Sequence, residues 1–184
     1  MFIQTEETPN PATLKFIPGR EVLPTGTRDF RNADEAEVSP LATRIFAIEG
    51  VSGVFLGHDF VTVTREGAEW PHLKPAVLGA IMEHYLSGAP TLAAGSTEDA
   101  DDANFDEADA ETVAVIKELI ETRVRPAVAN DGGDITFQGF REGVVFLHMR
   151  GACSGCPSST ATLKQGIENL LRHFVPEVTE VRPV

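Results

Sequence analysis

Cysteine is scarce in this chain: there are 2 among 184 residues, Cys153 and Cys156. A small secreted domain stapled by disulfides has more thiols, spread further along the chain, so that class is excluded. In a reducing compartment so close a pair reads as a metal or redox site. Basic residues are also few, with 15 Lys and Arg against 28 Asp and Glu and a formal net charge of −13. So acidic a surface repels phosphate backbones and anionic lipid headgroups. Nucleic acid and membranes are excluded as primary partners, and basic proteins are left. No apolar run approaches the roughly 20 residues of a membrane-spanning helix. The start, Met1-Phe2-Ile3-Gln4-Thr5-Glu6-Glu7, lacks the basic and apolar segments of a secretory signal and is acidic where a mitochondrial presequence is Arg-rich. The chain therefore reads as cytosolic, and an organelle protein whose presequence had been removed would read the same way.

What is present is an ordinary globular balance, 42% hydrophobic and 23% charged residues, which suits small domains with modest cores. Residues 91–111 divide the chain. From Ser96 to Asp109 there are many carboxylates, no Lys or Arg and almost nothing apolar, so 91–111 is expected to be an extended, solvated linker. Residues 1–90 read as a mixed α and β domain. Phe2–Gln4 and Thr13–Ile17 are expected strands around the turn Pro9-Asn10-Pro11. Ser39 and Pro40 open a helix from Leu41 to Ile48. Val51–Phe55 and Phe60–Thr64 form a hairpin around Gly57-His58-Asp59. A second helix starts at Pro71, runs through Leu73, Val77, Ile81 and Tyr85, and ends at Gly88.

Residues 112–184 give the order α-β-β-α-β, so the fold class is α+β with two small mixed domains. Val113, Ile116, Ile120 and Val124 keep a helical period, with Leu119 and Ala127 beside them. Asn130-Asp131-Gly132-Gly133-Asp134 must turn. Ile135–Phe137 and Val144–His148 are strands joined at Glu142-Gly143. A helix from about Ser159 to Phe174 ends before Pro176, and Val178–Val181 adds a last strand.

Between the second strand of this part and its last helix lies Gly151-Ala152-Cys153-Ser154-Gly155-Cys156-Pro157. Two thiols separated by two residues can face one metal ion or one edge of a cluster. Gly155 lets the backbone curl, and the bare glycines let it approach a bound group. The helix N-terminus that follows favours the thiolate form, particularly at Cys156, and the thiolate is the ligating form. An iron–sulfur cluster typically takes four cysteine thiolates, and a structural zinc takes four ligands. One chain offers two. Either a second copy brings two more thiolates, or His148, His173 or carboxylates complete the sphere. Neither histidine sits in a paired metal spacing, so the two-fold dimeric site is the simpler solution. A thioredoxin-like thiol–disulfide oxidoreductase and a structural zinc module remain alternatives, the former weakened by how little chain follows Cys156.

Other residues take plainer roles. Asp131 and Asp134 read as caps of the glycine turn, not as an acid/base pair. His58 belongs to a hairpin turn, Trp70 staples a helix entry, His148 and Met149 pack at a strand end, and Arg150 is solvated.

At Arg125-Pro126-Ala127-Val128, Asp131-Gly132-Gly133-Asp134-Ile135 and Gly151 to Ser159 the chain resembles the Nfu family of iron–sulfur carriers, through its NifU-type C-terminal domain. Gln4-Thr5-Glu6, Thr8-Pro9-Asn10-Pro11 and Leu14-Lys15-Phe16 are similar to the family's N-terminal domain. The resemblance implies a carrier, not an enzyme, holding a [4Fe–4S] cluster between two subunits through Cys153 and Cys156. It implies an upstream cluster donor, apo iron–sulfur clients, and partner recognition by the N-terminal domain. The domain arrangement is shared by mitochondria and related bacteria, so a bacterial cytoplasm is expected, with the mitochondrial matrix as the alternative.

Overall fold

A computed structural model describes residues 2–94, 104–152 and 157–184. The chain divides into two compact units, Met1–Glu98 and Asp99–Val184.

The first unit is built on an antiparallel sheet of β1 (Gln4–Glu7), β2 (Thr13–Ile17), β3 (Arg28–Phe30), β4 (Val51–Leu56) and β5 (Val61–Arg65), in the order β1-β2-β5-β4-β3. Helices α1 (Pro40–Phe46) and α2 (Trp70–Ser87) cover it. Leu14 and Phe16 from β2, Val61 and Val63 from β5, and Val54 and Leu56 from β4 meet Leu41, Ile45, Val77 and Ile81 from the helices in one core. The two-residue period of the strands puts each of those pairs on one face. Ser39 caps α1 as expected: its Oγ accepts from Ala42 N–H at 3.1 Å. Gly88, at φ +69°, ends α2 in the left-handed conformation that glycine adopts without strain. His58 serves the turn it was expected in, with its carbonyl accepting from Val22 and Leu23 N–H. Trp70 sits at the start of α2. Its Nε1–H donates to the Pro11 carbonyl at 3.2 Å, and its ring lies edge-on to Phe16. It ties the Pro9–Pro11 turn to the helix entry. The short β3 was not expected, because Arg28-Asp29-Phe30 offers one apolar residue and no period.

His84, on α2, is fully buried, and neither ring nitrogen has a hydrogen-bond partner among the described residues. Burial, reinforced by the Arg44 charge, lowers its pKa below the ordinary 6.5. Above that ordinary value the ring is neutral both folded and unfolded, and it contributes nothing to pH dependence. Below it the unfolded chain takes up a proton that the folded ring resists, so stability falls with pH. His84→Leu should flatten the part of that fall below about pH 6.5, read as denaturation midpoints across pH. An unchanged slope would contradict the assignment.

The second unit pairs β6 (Asn104–Phe105), β7 (Gly133–Arg141), β8 (Val144–Gly151) and β9 (Glu180–Pro183) in that order. β7 and β8 are antiparallel; β6 and β9 add in parallel at the two edges. The hairpin turn uses Glu142 at φ +51° and Gly143 at φ +81°, the left-handed pair of a two-residue loop. The helices are α3 (Ala110–Leu119), α4 (Arg125–Asn130) and α5 (Pro157–Phe174). A π-turn, Ile120–Val124, joins α3 to α4. Pro126 has no N–H to give, which interrupts the regular ladder where one continuous helix was expected. Ile116, Ile120, Ile135, Leu147, Leu171 and Val181 fill the core.

The expected order α-β-β-α-β is present, with β6 added in front. That strand falls in the stretch read as a solvated linker. Phe105 packs on Phe137, and Lys117 lies over both rings at 5.5 Å. Gly139 makes room for it: a Cβ there would stand 2.7 Å from the Asn104 carbonyl oxygen. At the other end of the stretch, the Thr91 carbonyl accepts from Ser39 Oγ at 2.6 Å and Ala93 N–H donates to Val38 at 2.7 Å. Both ends of 91–111 therefore carry fixed contacts, while 95–103 lie outside the described residues.

Candidate metal centre

Cys153 and Cys156 themselves lie outside the described residues, as do Ser154 and Gly155. The frame on either side of them is described. β8 ends at Gly151, at φ +64°, a backbone that a side chain would strain. Ala152 is buried, and its N–H donates to the Gly132 carbonyl at 3.2 Å. α5 begins at Pro157, immediately after Cys156 in the sequence. The cysteine loop thus joins the end of a core strand to the start of an 18-residue helix. Unsatisfied N–H groups and the positive end of the helix dipole favour thiolates and other anions at such a start.

The turn beside Ala152 is held from below. Arg125, the first residue of α4, takes the Asp134 carboxylate in both arms of its fork, Nε to Oδ1 and NH2 to Oδ2, each at 2.8 Å. Its third nitrogen donates to Glu121 at 2.6 Å. Asp134 Oδ1 also accepts from Ile135 N–H at 2.9 Å. The hydrogen bond to Asp134 is the main reason the guanidinium is held charged above its ordinary range, against the opposing pull of burial. Asp134, expected as a cap of the glycine turn, takes the Arg125 guanidinium and its neighbour's amide. It anchors the start of β7, and the signal missed in the sequence was the arginine nine positions earlier. Asp131 stays at the turn, its N–H donating to Val128 at 3.0 Å. Arg150 is half-buried in register with Asp134, not a solvated side chain.

His148 and His173 lie on different elements. His173 lies near the far end of α5, sixteen residues beyond Pro157, about 24 Å along the axis. It is edge-on to Phe174 there, so it cannot complete a site with Cys153 and Cys156 of the same chain. His148 lies on β8 opposite Thr136. Among the described residues, no three His, Cys, Asp or Glu side chains cluster in a way that would hold a metal ion.

Two family models match the chain. One, described as the scaffold protein Nfu/NifU N terminal, covers residues 3–88. The other, described as a NifU-like domain, covers residues 116–182. The chain is 53% identical over 184 residues to NifU-like protein 4, mitochondrial, of Arabidopsis thaliana, covering 98% of this chain and 65% of that protein. It is 50% identical over 187 residues to the human NFU1 iron-sulfur cluster scaffold homolog, mitochondrial, covering 100% of this chain and 72% of that one. It therefore spans about two thirds of the length of these relatives. A solution structure of a NifU-like protein from Saccharomyces cerevisiae matches with a TM-score of 0.46 and 27% identity, over 51% of this chain and 86% of that one.

Proposed function

We propose, from the premise that this chain belongs to the Nfu family of iron–sulfur cluster scaffold proteins, that it carries a [4Fe–4S] cluster held between two copies of itself. The cluster is cargo. Cys153 and Cys156 of each copy supply the four thiolates, and client cysteines displace them one by one as the cluster passes to an apo-protein. An upstream donor loads it. The chain is a carrier and makes no product of its own. Residues 1–90 meet the partner, the acidic stretch between Ala93 and Asn104 tethers the two domains, and the second unit, from β6 onward, holds the cluster.

The observation that carries this reading is the ligand count. The whole chain has 2 cysteines, and a cubane takes four thiolates. Membership of a family of iron–sulfur cluster scaffolds supports a cluster as the cargo, and the start of α5 at Pro157, directly after Cys156 in sequence, supports thiolates there. No helix among the described residues is long and apolar enough to cross a membrane. Both relatives named above are mitochondrial by name, the setting expected for the matrix alternative; neither lends support to a bacterial cytoplasm.

Anaerobic reconstitution followed by iron, sulfide and zinc analysis tests the proposal. About four iron and four sulfide per dimer are expected. Zinc without sulfide would point to a structural module, and metal-free reduction of disulfides would point to an oxidoreductase.

A further inference from the structure

We infer that the Arg125–Asp134 pair is a positioning latch for the cysteine loop, setting how long the chain keeps its cluster. This rests on the cluster-carrier reading for its consequence, but not for its geometry.

The geometry is a short chain of fixed contacts. Arg125 reaches Asp134 with two parallel hydrogen bonds of 2.8 Å. That forked arrangement fixes orientation as well as distance. The Asp134 side chain is only 4% exposed and that of Arg125 is 25% exposed, so water competes little. Asp134 is the second residue of β7, and it follows the turn whose Gly132 carbonyl receives Ala152 N–H. Gly133 lies in register with Gly151, and Asp134 with Arg150. Ala152 is thus held through its buried side chain and its amide, and Cys153 is the next residue. Moving the turn moves the last fixed point before the first thiolate.

A buried ion pair is a poor device for stability alone. Desolvating the two charges offsets much of their attraction, and an apolar pair often does as well. What it provides here is a defined angle between α4 and β7. The π-turn Ile120–Val124 contributes to the same end. Its extra residue rotates Arg125 by about 100° relative to the register of α3. Glu121, within that turn, holds the guanidinium from its outer side. Groups bonded directly to a metal ligand typically cost about 10–100-fold in metal affinity when lost; this pair acts through the Gly132 turn and Ala152, so the lower end of that range is expected.

The test uses the full chain with Arg125→Lys and Asp134→Asn. Lysine keeps the charge and loses the fork. Asparagine keeps the size and an acceptor for Ile135 N–H but loses the charge. In the metal-free protein, amide hydrogen exchange at Ala152 should quicken in both variants. In the reconstituted protein, starting iron should be equal to wild type, and release to a chelator should be about tenfold faster. The double variant should be little worse than either single one, because the two residues act as one unit. A lowered melting temperature with unchanged Ala152 exchange and unchanged release would overturn the latch. Should one variant fail to fold, the other decides. If wild type itself takes up no iron, the carrier reading fails, and Ala152 exchange in the metal-free chain still decides the latch.

Discussion

Replacing either cysteine by serine, Cys153→Ser or Cys156→Ser, is expected to take bound iron from about four atoms per dimer to background. On the proposed two-chain site each substitution removes two of the four ligands at once. A serine hydroxyl stays protonated at neutral pH and does not replace a thiolate. The fold should survive. Serine is close to cysteine in size, and the described core of the second unit, from Val113 to Val181, is packed by the sheet and helices on either side of the pair, so the far-ultraviolet circular dichroism and the melting curve should match wild type. Iron and sulfide analysis after reconstitution reads the result. A variant that kept its full complement would show that its cysteine is not a ligand.

The second large effect is on stability. Leu147, on β8, is fully buried in the core of the second unit. Leu147→Ala removes three carbons from a packed interior that relaxes only in part, at a cost of about 2–5 kcal/mol. That is a large fraction of what a domain of this size has. β8 leads directly into Ala152 and the cysteine loop, so the loss should also appear as reduced iron retention near the midpoint of unfolding. Chemical denaturation followed by far-ultraviolet circular dichroism measures it. A cost below about 1 kcal/mol would mean that the site collapses around the missing group.

Much of the fold was legible because strong local rules coincide with it. Ser39-Pro40 is a helix start whose capping bond is present, and Gly88 is a helix stop in the left-handed conformation. β2 falls on the expected Thr13–Ile17, and the Glu142-Gly143 turn joins the two expected strands of the second unit. What escaped was non-local. β3 and β6 are three and two residues long and exist because a neighbouring edge receives them. β6 depends on a bare Gly139 far along the chain. The π-turn required seeing that Pro126 falls inside a helical period. Asp134 looked like a turn residue because its partner Arg125 lies in the preceding helix.

At the site, the sequence offered the chemistry more readily than the mechanics. A C-x-x-C pair preceded by Gly151 and holding Gly155 points to the ligating atoms proposed above, and the total of 2 cysteines is the basis of the proposed sharing. The bonds that hold the loop's approach, from Gly132 to Ala152 and from Arg125 to Asp134, leave no periodic trace. The place of His173 at the far end of α5 also needed the helix to be seen whole.

Because everything turns on two chains sharing one cluster, the mass of the particle in solution before and after anaerobic loading is the most direct measurement. Native mass spectrometry or light scattering coupled to size separation should find the cluster only on a species of two chains. Iron, sulfide and protein should occur there in a ratio of about four to four to two. A single chain of 19.8 kDa carrying an intact cluster would contradict the account.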